Sequence, residues 1–497
     1  MTQRFFPRPN VAMGELGLMA LRFLPKPNTD PNLVPWDGLD DPANPQNWSF
    51  GFKVWLTAVG NLMTFCCTFA SSAPSSSTAT IADEFHVGRE IGNLILTVFL
   101  VGFTVGPSFW GPGSELVGRH HISISTFALY ILLNIGQVRT NSMTTLLVTR
   151  FLCGFFASAP LTNSIGIIAD LWDPVNRGIA MSVFTATAFL GPATGPVVAL
   201  SAGAGSFLVI IILAGVCVLL SLFVPETSAP VLLARKANRL RGADPVKNKD
   251  IYAESERVSW TPNAVLERTI FRPFKMLLVE PILLLATIYV ALAYGVMYAS
   301  MCHLLPKSEA VPLIFIRTRH FSVSSDGLWH GFPPVEERLY SAMVGGSTLV
   351  IGILFLCWSG TYESVPWWVP GLSTILVGLA ITLIFTLHCT CTRYTYLVDT
   401  YLKYAASALA AHTIIRSLAG AAFPLFSKQM FVKLGINWAD TLLGGIALIL
   451  APIPFLFHKY GQRIRASSYF APCLDLKVAE FLKEEKSAVA QVATQTV

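Results

Sequence analysis

The stretch GPGSELVGRHH, residues 111–121, lies between two long apolar runs of the chain. It holds three glycines, a proline and two charged residues, Glu115 and Arg119, where the flanking sequence is mostly apolar. Glycine and proline permit a tight reversal with close backbone approach. Charges four residues apart suit a charge-assisted contact with each other or with a neighbouring helix end. The stretch therefore predicts a short polar turn that joins two apolar helices.

The composition places these helices in a membrane. Of the 497 residues, 53% are hydrophobic and only 13% are charged, whereas a soluble domain carries about 25% charged residues. The net charge of +6 is spread over the segments between apolar runs, so nucleic acid is not expected as a partner. The nine cysteines lie mostly inside apolar runs and are interpreted as small core residues, with no metal site among them.

Runs of about 20 apolar residues can cross a bilayer core as helices, and the chain contains eleven of them. The sequence thus predicts an all-α, polytopic membrane protein with six spans, a polar linker and five more spans. The predicted spans are residues 53–74, 91–110, 122–138, 145–168, 179–199, 206–224, 279–301, 340–358, 367–388, 402–426 and 437–457.

Basic residues predict the orientation, because Lys and Arg concentrate in cytoplasmic loops. They gather at Arg119, at Arg177, between Arg235 and Lys275, and after residue 457. This places both termini in the cytoplasm, which requires an even number of spans, yet only eleven are clear. The missing eighth span should lie in residues 302–339, where the longest apolar piece is VPLIFI. Either that segment is an unusual re-entrant structure, or a span has been lost and unrelated sequence gained; the second interpretation is favoured.

The composition shifts predict five regions. They are a cytoplasmic N-terminal tail (1–50), an N-terminal six-helix half (51–227), a cytoplasmic linker (228–276), a C-terminal helical half (277–460, with 302–339 aberrant) and a cytoplasmic C-terminal tail (461–497). The start of the linker, APVLLARKANRLR, fits either an amphipathic helix on the inner leaflet or a solvated connector.

Two arginines stand inside predicted spans, Arg150 in the fourth and Arg416 in the run 402–426. A charge at that depth costs about 2.5–3.5 kcal/mol on insertion scales, so it normally faces a cavity or a partner. Snorkelling to the interface is the alternative for Arg150, and a buried structural pair is the alternative for Arg416. In the fifth span, Gly191 and Gly195 put small residues on one helix face, while Pro192 and Pro196 remove hydrogen-bond donors.

At these motifs the chain resembles the major facilitator superfamily. Gly111, Glu115, Gly118 and Arg119 match the family's loop between spans two and three, although His120 stands where a second Arg is usual. The resemblance implies a fold of two six-helix halves, in which this loop is a conformational latch.

Further stretches resemble the family's fungal twelve-span drug:proton antiporters. They are DPANPQNWS (41–49), VPETSAPVLL (224–233) and the span-eleven run around Arg416. For Arg150, with Gly154 four residues on, the resemblance implies a role in proton coupling. Gly191, Pro192, Gly195 and Pro196 resemble the antiporter motif, which is thought to limit leak, although Ala199 and Leu200 depart from its usual continuation.

The expected function is proton-coupled efflux of a small organic compound, such as a secondary metabolite, toxin or drug, across the plasma membrane. Arg150, Arg416 and Gly154 would line the substrate and proton pathway. No phosphate-cradling Gly pattern and no nucleophile–base constellation stands out, so neither ATP drive nor an enzyme is expected. A monomer in membrane lipid is expected, with no cofactor and the proton gradient as driving force. The alternatives are a polyamine or other small-molecule transporter of the same fold, and a non-transporting degraded copy.

Overall fold

The structure is a computed structural model of the chain. It describes residues 32–38, 41–172, 174–202, 205–244, 248–257, 267, 271–303, 339–359, 366, 368–389, 405–466 and 468–469. These residues are nearly all helical, and their single β-bridge joins Leu33 to Tyr252. Predictions that concern residues 304–338, most of the N-terminal tail and most of the C-terminal tail lie outside the described residues.

Eight α-helices are described between residues 50 and 243, the last of them in the linker. They are α1 (Phe50–Ser72), α2 (Thr78–Glu84), α3 (Arg89–Val117), α4 (Arg119–Val138), α5 (Met143–Leu171), α6 (Pro174–Ala202), α7 (Ser206–Ser221) and α8 (Ala229–Ala243).

Six α-helices are described after the linker. They are α9 (Arg272–Val279), α10 (Pro281–His303), α11 (Tyr340–Ser359), α12 (Trp368–Cys389), α13 (Ala405–Leu450) and α14 (Ile453–Ala466). Helix α13 is two helices merged across a break at Gly435, whose φ is 74°. The described residues of the eleven predicted spans are nearly all helical; spans 402–426 and 437–457 lie on either side of the break in α13, and the second continues into the start of α14.

Among the described residues, six helices are long and apolar enough to cross a membrane, and a seventh counts if α9 and α10 form one bent span. The axes of α9 and α10 meet at 99°. Buried apolar side chains form two large clusters, one drawn from α1 and α3 to α7, the other mainly from α9 to α14. The predicted region boundaries stay a prediction.

The polar turn predicted over residues 111–121 is much shorter in the structure. Helix α3 continues to Val117 and α4 starts at Arg119, so Gly118 alone makes the reversal. Its φ of 109° lies in a region of backbone conformation that residues with a Cβ rarely adopt. The expectation of a loop was wrong because Gly111, Pro112 and Gly113 are accommodated within the last turns of α3.

The two ends of the bundle can be assigned from side-chain contacts. The start of α10 meets the chain's last described residues, where Ser468 Oγ donates to Glu280 Oε2 at 2.6 Å. The start of α11 lies at the same end, because the Tyr340 and His458 rings are 5.0 Å apart. We call this the junction end, since Gly118 also lies there, and we call the opposite end, which holds Ser71 and Tyr298, the closure end.

Helices α10 and α11 therefore run parallel. The Tyr289 hydroxyl in the first half of α10 donates to the Ala342 carbonyl in the first turn of α11 at 3.3 Å. At the far end of α11, Cys357 Sγ donates to the Asn437 carbonyl at 2.9 Å.

The linker begins with α8, in agreement with the helix that was one of the two predictions for its start. In α8, Ala237 is buried with Val34 and Ala253 in a small apolar cluster. The N-terminal segment is held there by Tyr252, which accepts from the Val34 amide at 3.0 Å, and by an ion pair of 2.6 Å between Asp37 and Lys236. Residues 32–38 thus form a strap between the start of α1 and the linker.

Candidate functional site

The junction end of the first six spans holds a cluster of charges around Gly118. The Arg119 guanidinium Nε contacts Asp170 Oδ2 at 2.5 Å, and both side chains are largely buried. The Arg119 main-chain N–H donates to Glu226 Oε1 at 3.0 Å. This cluster, Arg119, Asp170 and Glu226, joins the start of α4 to the end of α5 and to the segment after α7.

Glu226 organises the start of the linker as well as the junction. Its Oε1 also accepts from the main-chain N–H groups of Thr227 and Ser228, each at 3.0 Å. Two glycines make room for the cluster. A Cβ at Gly118 would lie 2.1 Å from Glu226 Oε2, and a Cβ at Gly166 would lie 1.9 Å from Arg119 Nη1.

Only part of the predicted latch takes part in these contacts. Gly118 and Arg119 lie at the centre of the cluster, whereas Glu115 is exposed. A Cβ at Gly111 would make only an ordinary contact, 3.7 Å from Thr162 Cγ2. Of the two contacts that the sequence allowed for Arg119, the structure shows the one with a neighbouring helix end. Sequence reasoning missed Asp170, although a lone acid in the last turn of a span was a usable signal.

The glycines of α6 lie directly against α1. A Cβ at Gly191 would lie 2.1 Å from Thr68 Oγ1, and one at Gly195 would lie 2.2 Å from Ser72 Oγ. Ser72 Oγ donates to the Pro192 carbonyl at 2.9 Å. That carbonyl lacks its usual helical donor, because the residue four positions on is Pro196 and has no N–H. The motif therefore combines a close helix approach with a hydrogen bond that only the partner helix supplies.

Arg150 is sealed inside the first six spans. Its side chain is 0% exposed, and its guanidinium carbon lies 5.4 Å from the Phe99 ring centre and 5.0 Å from that of Phe207. None of its three nitrogens makes a hydrogen bond to the described residues. The full burial rules out snorkelling in this conformation. The two ring faces are the contacts that stabilise the charge, as cation–π interactions.

Gly154 acts through the helix packing next to Arg150. A Cβ at this position would lie 2.0 Å from the Phe99 carbonyl oxygen, so glycine allows α5 to approach α3 at the level where Phe99 covers the guanidinium. This contact links Gly154 to Arg150 through Phe99.

Arg416 lies in α13 on the face of an aromatic pair. Its guanidinium carbon is 4.8 Å from the Tyr294 ring centre, and the Tyr294 and Tyr298 ring centres are 5.0 Å apart. Glycine at position 420 permits this arrangement, because a Cβ there would lie 2.8 Å from the Tyr294 ring. The arginine thus sits beside α10 and close to the boundary between the two sets of spans.

Three hydrogen bonds join the two sets of spans at the closure end. Ser71 Oγ and the Tyr298 hydroxyl are 2.8 Å apart, and Thr97 Oγ1 donates to the Ala421 carbonyl at 3.1 Å. Nearer the surface, Gln429 Nε2 donates to Glu90 Oε1 at 3.2 Å. The Arg119–Asp170–Glu226 cluster, in contrast, bonds only elements of the first six spans to one another.

The chain is similar in sequence and in fold to known proteins. The Major Facilitator Superfamily model matches residues 61–424. The chain is 35% identical to the ascochitine biosynthesis cluster MFS transporter of Didymella fabae, over 90% of this chain and 91% of that protein. It is also 35% identical to the efflux pump bik6 of Gibberella fujikuroi, over 88% of this chain and 95% of that protein.

The chain is also similar to a multidrug transporter and to a proton:xylose symporter. The multidrug transporter FLU1 of Candida albicans is 34% identical, over 90% of this chain and 77% of that protein. The solved structure of the proton:xylose symporter XylE aligns with a TM-score of 0.56 at 13% sequence identity, over 83% of this chain and 96% of that one. At that identity the structural similarity concerns the fold alone.

Proposed function

The chain belongs to the major facilitator superfamily of transporters, and from this premise we propose that it exports a small organic compound across the fungal plasma membrane in exchange for protons. It is a multi-pass membrane transporter and not an enzyme. The direction of transport is supported by relatives that are named as an efflux pump and a multidrug transporter.

The observation that carries the proposal is the closure between the two halves. Hydrogen bonds between Ser71 and Tyr298 and between Thr97 and Ala421 join the halves at one end. At the junction end, the charged cluster holds the N-terminal half together, and its hydrogen bonds among the described residues do not reach the C-terminal half. This asymmetry is typical of one state of an alternating-access carrier, in which two halves rock around a site at mid-depth.

Each motif takes a role in this cycle. The Arg119–Asp170–Glu226 cluster acts as the latch, because the turn at Gly118 has to keep its shape while the halves move. The Gly191–Pro196 segment keeps α6 tight against α1 and so limits leak between the halves.

Arg150 is the candidate for proton coupling. A cation that is fully desolvated responds strongly to any change of nearby charge, because electrostatic interactions are stronger at low dielectric. Arg416, partly exposed at the boundary between the halves, is the candidate for contact with the substrate.

A transport assay on the whole protein tests the proposal. The purified chain is reconstituted into liposomes, and uptake of a panel of labelled aromatic compounds is followed after an outward or an inward pH gradient is imposed. We expect compound movement opposite to the proton flux, abolished when an ionophore collapses the gradient. Movement in the same direction as the protons, or movement that is indifferent to the gradient, contradicts the proposal.

A further inference from the structure

Arg416 projects into the interior of the bundle. On the same helix, the exposed positions that follow are Leu418, Ala422, Leu425 and Phe426. They follow Arg416 by two, six, nine and ten residues, which places them about 200°, 240°, 180° and 280° around the helix. Arg416 is itself partly exposed and lies on the side of α13 opposite to most of these positions.

The arginine also lies just beneath the closure. Ala421, whose carbonyl accepts from Thr97 of the other half, is five residues further along α13, or about 7.5 Å toward the closure end. Tyr298, which contacts Ser71 of the other half, lies beside Tyr294 with the two rings tilted by 58°, and Arg416 rests on the Tyr294 face. A solute that enters from the junction end therefore meets Arg416 at the deepest point it reaches.

The charges at mid-depth all have one sign. The carboxylates that the described spans carry lie near helix ends: Glu90 in the first turn of α3, Glu115 near its last turn and Asp170 in the last turn of α5. Asp440 likewise follows closely on the break at Gly435. Two arginines, 150 and 416, are the charged residues of the middle turns. An interior with this balance attracts anions and repels organic cations, because opposite charges attract strongly where water is excluded.

From this placement we propose that the compound carried is an organic anion, whose carboxylate or phenolate pairs with Arg416. A guanidinium binds a carboxylate through two parallel hydrogen bonds, and the Tyr294 face fixes the plane of the guanidinium. This inference rests on the proposed transport function and specifies its substrate class.

A binding experiment on the purified full-length chain tests the inference independently of transport. Three probes share one ring system: 1-naphthoate, its neutral methyl ester and cationic 1-naphthylmethylammonium. We expect naphthoate to raise the melting temperature of the wild-type protein, and Arg416→Gln to weaken its binding at least tenfold, with Arg416→Lys in between. Arg463→Gln, a change at an exposed arginine of α14, is the matched control and keeps wild-type binding.

The outcomes separate the inference from the function on which it rests. Binding of the ester or the ammonium as tightly as naphthoate, no binding of naphthoate, or naphthoate binding that survives Arg416→Gln overturns the anion site. If naphthoate binds through Arg416 but a pH gradient drives no transport, the site stands and the exporter proposal fails. If the gradient drives transport of the cation equally well in wild type and Arg416→Gln, the exporter stands and the anion site fails.

Discussion

At the scale of single residues, Gly191 sets the distance between α6 and α1. In Gly191→Ala the new Cβ would lie 2.1 Å from Thr68 Oγ1 and 2.7 Å from the Phe69 main-chain nitrogen. Backbone cannot move aside as a side-chain tip does, so the helices must separate, and overpacking of this kind costs about 1–3 kcal/mol. We expect a lower melting temperature and a proton leak in liposomes. Gly215→Ala, where nothing lies within 4 Å, is the control and should leave both unchanged.

A substitution at Arg150 can distinguish a structural role of this residue from a functional one. Its charge is fully buried and has no hydrogen-bond acceptor among the described residues. Burying a charge without a partner costs free energy of folding, so Arg150→Met should keep or raise thermal stability while it abolishes gradient-driven export. Melting temperature and transport are measured on the same preparation, with membrane localisation checked. A large loss of stability would mean that the arginine is structural, and unchanged export would remove it from the coupling pathway.

Some of the site residues could be predicted from the sequence and others could not, and the difference has a physical reason. Arg150 and Arg416 stand out because a charge in a membrane span is rare and costly, and the Gly–Pro motif stands out because its glycines and prolines repeat at a spacing of four. Asp170 and Glu226 were missed as partners of Arg119 because Asp170 lies at a helix end and Glu226 in a connecting segment, where acids are common. Their role depends on three segments meeting at one point, which no local pattern records.

At the scale of secondary-structure elements, the latch depends on one carboxylate. Glu226 Oε1 accepts three main-chain N–H groups, from Arg119, Thr227 and Ser228. In Glu226→Ala these donors lose their acceptor, and a buried unsatisfied donor costs about 1–3 kcal/mol. We expect a lower melting temperature and slower export, measured together. Glu256→Ala is the control, because Glu256 is a partly exposed partner of Arg241 and such pairs contribute about 0–1 kcal/mol; equal effects of the two changes would contradict the latch.

The N-terminal strap should respond to pH through Asp41. Main-chain N–H groups of Asp37 and Ala43 donate to its carboxylate at 2.9 and 2.8 Å, and these bonds lower its pKa below the ordinary value. A lowered pKa in the folded state means that the carboxylate stabilises the strap above its ordinary pKa and ceases to do so as pH falls through the lowered value. Asp41→Asn removes the charge at neutral pH. We expect faster hydrogen exchange at the Val34 amide, which bonds Tyr252, and unchanged exchange within α1; equal protection in both proteins would contradict this.

At the scale of the whole molecule, the eleven helices could be predicted because apolar length and periodicity are local properties of the sequence. The parallel course of α10 and α11 could not be predicted, because no local pattern records which helices begin at the same end. The structure supplies this information through contacts: Tyr289 of α10 is bonded to Ala342 of α11, and Glu280 is bonded to Ser468.

This parallel arrangement makes a definite prediction for the two ends of the chain. The hydrogen bond between Ser468 and Glu280 places the last described residues at the junction end, beside the start of α10. The basic residues Lys459, Arg463 and Arg465 lie at that end as well, and basic residues favour the cytoplasm. Tags placed before Met1 and after Val497 should therefore both be reached by antibody only after the plasma membrane of a fungal host is permeabilised. A C-terminal tag labelled on intact cells, with the N-terminal tag protected, would contradict this arrangement of the two ends, and the two-half carrier proposed above would lose its basis.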